Sequence, residues 1–166
     1  MYQIGDFIVH EGSGICEVAD IKEMALCGRG SEKEYYTLRP FYEKGSQVFT
    51  PVNSDKVKLR PVMTREKIEN LIAEIPEIDG IWEENDKLRA VKYKEALATF
   101  KPEELVRVIK TVYLGKQKRV DAGKKILVGD EKYIQIAQKW LYEEIAFVMD
   151  MDMKSVEKMV VKELTK

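Results

Sequence analysis

Cysteine and histidine are scarce in this chain. Its 166 residues include two cysteines, Cys16 and Cys27, and one histidine, His10. So few thiols exclude a disulfide framework and fit a reducing compartment. Three possible ligands without a C-x-x-C pair make no zinc pattern, and no metal is expected. An excess of one charge is missing too: 28 basic and 29 acidic residues leave a formal net charge of -1. The whole-chain field therefore does not mark a nucleic-acid binder, and any such role must rest on a local patch. No apolar run approaches the length that spans a bilayer. The first residues, MYQIGDF, lack a basic region followed by an apolar stretch. A cytoplasmic protein without membrane contact is the expectation.

What is present divides into two periods. Up to Pro61 the pattern is that of strands. Phe7 to His10, Ile15 to Ile21, Tyr35 to Arg39 and Gln47 to Val52 are short and rich in β-branched and aromatic residues. A fifth segment, KVKLRPV, alternates charge with Val57 and Leu59. The joints EGSG, CGRGS, EKGS and VNSD are tight. Five short strands so joined predict a small barrel over residues 1–61. From residue 62 the period becomes helical. Ile68, Leu71, Ile72 and Ile75 make a first stripe, and Ala90, Tyr93, Leu97 and Phe100 a second. Leu105, Val108, Ile109 and Val112 make a third, behind Pro102 and two glutamates that suit a helix start; Gly115 marks its possible stop. Ile134, Ala137, Leu141, Ile145 and Val148 make a fourth, with Asp130 as its expected cap, and Val156, Met159, Val160 and Leu164 a fifth. The predicted class is α+β: a small β-barrel, then an all-helical domain over residues 62–166.

The opening stretch YQIGDFIVHEGSGICEV poses the question of catalysis. Its GSG is followed by ICEVADI, a strand, so it is neither a Walker loop nor a dinucleotide fingerprint. A strand-to-strand turn is the better reading. No serine or cysteine nucleophile pattern surrounds His10, which reads as a turn-side or partner-facing residue. The acidic pairs Glu83–Glu84, Glu103–Glu104 and Glu143–Glu144 read as helix starts or solvated faces, and adjacent helix residues diverge by about 100°, so such pairs do not converge on a substrate. No catalytic constellation emerges. The expectation is a non-enzyme with no cofactor and no small-molecule substrate.

Two basic clusters stand out in the helical half. KLRAVKYK holds Lys87, Arg89, Lys92 and Lys94, and GKQKRVDAGKK holds Lys116, Lys118, Arg119, Lys124 and Lys125 against one acid, Asp121. Such runs are commonly solvated faces. From residue 62 onward, however, 20 basic and 20 acidic residues balance, so the second cluster is a local enrichment able to grip phosphates. Trp82, in DGIWEEN, either folds back on the core or meets a partner as a wedge against DNA. Trp140 lies in an apolar stripe and reads as core.

The segments IGDFIVHEGSGICEVADIKE, KEYYTLRP, VFTPVNSDKVKLRPV and RAVKYKEAL, in that order, resemble the CarD/CdnL family of bacterial transcription regulators. The first part also resembles the polymerase-binding module of the transcription-repair coupling factor. The resemblance implies a Tudor-like barrel that binds the RNA polymerase β subunit. It also implies a helical domain holding promoter DNA, mostly without sequence specificity, at the fork junction on the upstream edge of the melted bubble. On the barrel it points to Met24, Val48 and Phe49 for polymerase. In the helical part it places the family's wedge tryptophan on Arg89, four residues before Tyr93, with Trp82 competing for that role. Lys92 and Lys94 match basic family positions. A family lysine falls on Glu131, beside Lys132. The expected DNA-contacting set is Trp82, Arg89, Lys92, Lys94, Lys116, Lys118, Arg119 and Lys132. The alternative expectation is a protein–protein adaptor on polymerase with no DNA contact.

Overall fold

The computed structural model describes all residues, 1–166, as two compact units, Met1–Val62 and Met63–Lys166. The first unit is an antiparallel sheet of β1 (Phe7–His10), β2 (Gly14–Met24), β3 (Lys33–Pro40), β4 (Val48–Pro51) and β5 (Leu59–Pro61). Strand order is β4-β3-β2-β1-β5, so the sheet has two edges, β4 and β5, and does not close. The closed barrel expected from the strand spacing is therefore corrected to an open sheet. That sheet is nonetheless strongly curled. A register shift between Val18 and Asp20 bends the long β2–β3 ribbon. Strands β1 and β4, three places apart, meet through the side chains of His10 and Thr50 at 3.1 Å. Ile8, Cys16, Val18, Tyr36 and Leu38 fill the concavity.

The Gly-Ser-Gly joint is the β1–β2 hairpin. Gly14 adopts φ 70°, and His10 pairs with it across the ladder. His10 is buried, and its Nδ1 accepts the backbone N–H groups of Gly12 and Ser13, both at 3.1 Å. Two donors aimed at Nδ1 require it to be unprotonated, so Nε2 carries the hydrogen and donates to Thr50 Oγ1. His10 thus clamps the turn and ties it to β4. Burial lowers its pKa from the ordinary 6.5, against an opposing pull from Glu11.

The second unit contains α1 (Arg65–Glu74), a 3-10 turn (Ile75–Glu77), α2 (Asp86–Thr99), α3 (Pro102–Asp121), α4 (Val128–Met149) and α5 (Met153–Leu164). Side chains cap three of these helices: Thr64 accepts from Lys67 N–H, Asn85 from Lys87 and Leu88, and Asp152 from Ser155. The predicted stripes converge on one core that includes Ile68, Tyr93, Leu105, Ile109, Leu141 and Val156. Each fully buried aliphatic side chain there contributes roughly 1.5–3 kcal/mol. Trp140 is half-buried and packs edge-on against Phe100 at 5.3 Å. Helix α3 runs through Gly115 to Asp121, so that glycine is not a stop. Asp130 is not the cap of α4 either: the helix begins at Val128, and the Asp130 side chain turns inward. No helix is long and apolar enough to cross a membrane.

Candidate nucleic-acid and polymerase interfaces

The segment before α2 is stitched to α3 by polar ties. Lys110 Nζ donates to the carbonyls of Ile75, Pro76 and Ile78 at 2.9, 3.0 and 2.7 Å. Arg107 Nε donates to Asp79 O, and Ile81 N–H donates to Thr111 Oγ1. Trp82 leaves this anchored segment and lies against α3. A Cβ built on Gly115 would meet the Trp82 ring at 3.2 Å, so the missing side chain is what admits the indole. The indole N–H donates to Glu84 Oε1 at 2.9 Å, and the residue keeps 41% exposure.

Behind Trp82 lies Arg89, among the largest of the fully buried side chains, at 2% exposure. Its guanidinium sits 4.7 Å from the centre of the Trp82 ring, a cation–π stack. Its Nε donates to Asp130 Oδ2 at 2.8 Å and its Nη2 to Asp130 Oδ1 at 3.2 Å, a two-pronged pair. Asp86 Oδ1 accepts from Nη2 at 2.8 Å, and the Glu83 carbonyl from Nη1 at 2.9 Å. Tyr93 donates to Asp130 as well, at 3.3 Å. Desolvation pulls the Arg89 pKa down, but hydrogen bonds and charge from Asp130 and Asp86 more than offset it, so the pKa is raised. Burial, followed by the Asp130 charge, raises that of Tyr93. The expectation that Arg89 contacts DNA as the wedge is therefore corrected: its donors are spent inside the fold, where they join α2 to α4.

Of the remaining expected DNA residues, Lys116, Lys118 and Arg119 share cavity walls with Trp82, and Lys92, Lys94 and Lys132 do not. Lys116 pairs with Glu131 at 2.8 Å, and Lys92 with Glu83 at 3.2 Å. Arg119 Nε donates to Lys125 O at 2.6 Å. Lys118 and Lys94 are exposed. Lys132 lies 5.0 Å from the Tyr133 ring centre. Trp82, Lys118 and Arg119 line one common cavity; Lys94 is not part of it.

On the sheet, β4 occupies an edge, with its outer ladder groups unpaired by any neighbouring strand. Phe49, opposite Thr37, is 42% exposed, and Thr50 beside it is buried. Val48, beside Phe49 on the same edge strand, is half-buried and packs in part against the sheet's core. Met24 is half-buried and pairs with Lys33 at the far end of the β2–β3 ribbon. Composition did not reveal the exposed aromatic group Phe7, Phe41 and Tyr42, with ring centres 6.4 and 5.0 Å apart. Asp130 as partner of Arg89 was equally unmarked, though Arg89 stands four residues before Tyr93 on the buried stripe of α2.

None of the curated proteins compared matches this chain significantly. A family model described as the CarD-like/TRCF RID domain matches residues 2–63, which spans the whole sheet and stops at the start of the helical unit. The N-terminal unit of this protein is therefore a CarD-like/TRCF RID domain.

Proposed function

We propose that the protein is a non-catalytic, cytoplasmic transcription regulator that binds the RNA polymerase β subunit through its N-terminal unit. The observation carrying this reading is the open β4 edge with Phe49 exposed on it, in a unit of the CarD-like/TRCF RID type. An unpaired strand edge recognises another strand through main-chain hydrogen bonds, with side-chain anchors giving specificity. Pro51 ends the usable edge, because it has no N–H to donate. The exposed Phe7, Phe41 and Tyr42 add aromatic surface of the kind enriched at protein interfaces.

The helical unit contacts promoter DNA at the upstream fork junction in this reading, with Lys118, Arg119 and the neighbouring lysines gripping phosphates. Binding the open complex more tightly than the closed one prolongs its life; equal affinity would shift nothing. Trp82 is the aromatic residue available to an unstacked base. A second reading, an adaptor on polymerase without DNA contact, is favoured by the ion pairs that occupy Lys116 and Lys92. Co-purification with polymerase, then retention of the complex on fork DNA across a salt series, separates the two. Steep salt dependence supports the regulator, and no retention supports the adaptor.

A further inference from the structure

We propose that the cavity between Trp82 and α3 binds a single nucleotide unit, an unstacked base carrying a phosphate. The cavity measures about 430 Å³, within the range of roughly 300–1,000 Å³ usual for small-ligand sites. Its wall chemistry is of two kinds. Trp82 and Leu114 supply apolar surface, and Lys118 and Arg119 supply positive charge at the rim; the one carboxylate of the lining, Glu84, accepts the Trp82 indole N–H. The polar groups that could compete for a ligand are already engaged. Lys110 gives its ammonium to three carbonyls, and Thr111 accepts from Ile81 and donates to the Arg107 carbonyl at 2.7 Å. The free cations are then Lys118, which is exposed and forms no ion pair, and the terminal nitrogens of Arg119, whose Nε alone is used.

The tryptophan is a wall here and not a free probe. Arg89 backs its ring, Gly115 receives its edge, and Glu84 holds its N–H. A pre-positioned aromatic surface stacks a base at small entropic cost, and any base suits it because each has a π-face. A phosphate one sugar away meets the two rim cations, and Arg119 can present a planar fork to it. The inference deepens the promoter reading, from which it takes Trp82 as the platform for an unstacked base, and adds a phosphate site that needs neither duplex nor polymerase. The same chemistry is offered by a free nucleotide and by one unit of a single DNA strand.

The test titrates the full-length protein with a fluorescent adenine-analogue nucleoside monophosphate and, separately, with a short single strand carrying the same base. Stacking on the indole quenches the analogue. Saturable quenching is expected in at least one arm. Quenching by the monophosphate identifies a free nucleotide as sufficient; quenching by the strand alone identifies melted DNA as the source. Lys118→Glu should weaken binding about tenfold or more, the loss of one charge-assisted contact. Because Lys118 is exposed, its thermal melt should match wild type. No quenching in either arm, or quenching unaffected by both Lys118→Glu and Trp82→Leu, overturns the site. Retention on fork DNA, measured alongside, tests the promoter reading separately: its loss with quenching intact leaves the site standing.

Discussion

The Arg89 guanidinium lies between the Trp82 ring, 4.7 Å from its centre, and the Asp130 carboxylate, 2.8 Å from Nε. One buried cation thereby sets the position of an exposed aromatic side chain and locks α2 against α4. A buried pair of this kind is weak evidence for net stability, but breaking it from one side is costly. Arg89→Leu leaves the Asp130 carboxylate without its cation and should cost about 3–5 kcal/mol. The joint change of Arg89→Met and Asp130→Leu should cost much less. Denaturant melts of the two variants beside wild type check this; equal losses for single and joint changes would defeat the coupling.

Gly115→Ala tests the seat of Trp82. In a helix interior alanine is favoured over glycine by roughly 1 kcal/mol. The new Cβ would stand 3.2 Å from the ring, which is exposed enough to slide. Expected outcomes are unchanged or higher stability, altered tryptophan emission and weaker stacking of the fluorescent nucleotide. A sharp fall in melting temperature would show that the ring cannot yield.

Phe49→Asp should lower capture of polymerase by about tenfold or more, the scale of an interface hot spot, while circular dichroism stays unchanged. Val48→Asp should instead destabilise the sheet, because Val48 packs on its core. If Phe49→Asp leaves capture intact, β4 is not the docking edge.

Replacing Lys116, Lys118 and Arg119 together by alanine should flatten the log–log salt dependence of DNA binding. At about 0.9 per phosphate contact, three free cations would remove nearly three units of slope. Lys116 is paired with Glu131, so the expected change is about two units. An unaltered slope assigns all three to a solvated face.

His10 gives a pH dependence with a definite sign. Its folded-state pKa lies below the ordinary 6.5, so the unfolded chain takes up the proton first as pH falls. The clamp's contribution is fully present above 6.5 and is lost as pH drops through the folded value. Protonated Nδ1 would face the N–H groups of Gly12 and Ser13 with a donor of its own. The denaturant midpoint of the sheet, followed by the resolved ring resonances of Tyr35 and Tyr36, should fall with pH in this window. His10→Asn should remove much of that slope; retention of the full slope would place it on other groups.

Local pattern determined much of this molecule by itself. Ile68, Leu105, Ile109, Leu141 and Val156 recur at helical spacing, and such spacing settles which face is buried whatever that face meets. The strand segments were legible for the same reason, from alternation and the turn residues between them. Closure of the sheet was not legible, because it depends on register and curl accumulated over five strands, including the shift at Val18/Asp20. Nor were the roles of Arg89, Asp130 and Gly115. Arg89 stands in a basic run and Asp130 at a helix start, where local rules assign a solvated face and a cap. Their pairing across 41 residues arises only when α2 packs on α4 and water leaves the space between them. Desolvation then turns two ordinary surface charges into a fixed pair, and Gly115, lacking a side chain, leaves the room in which Trp82 lies.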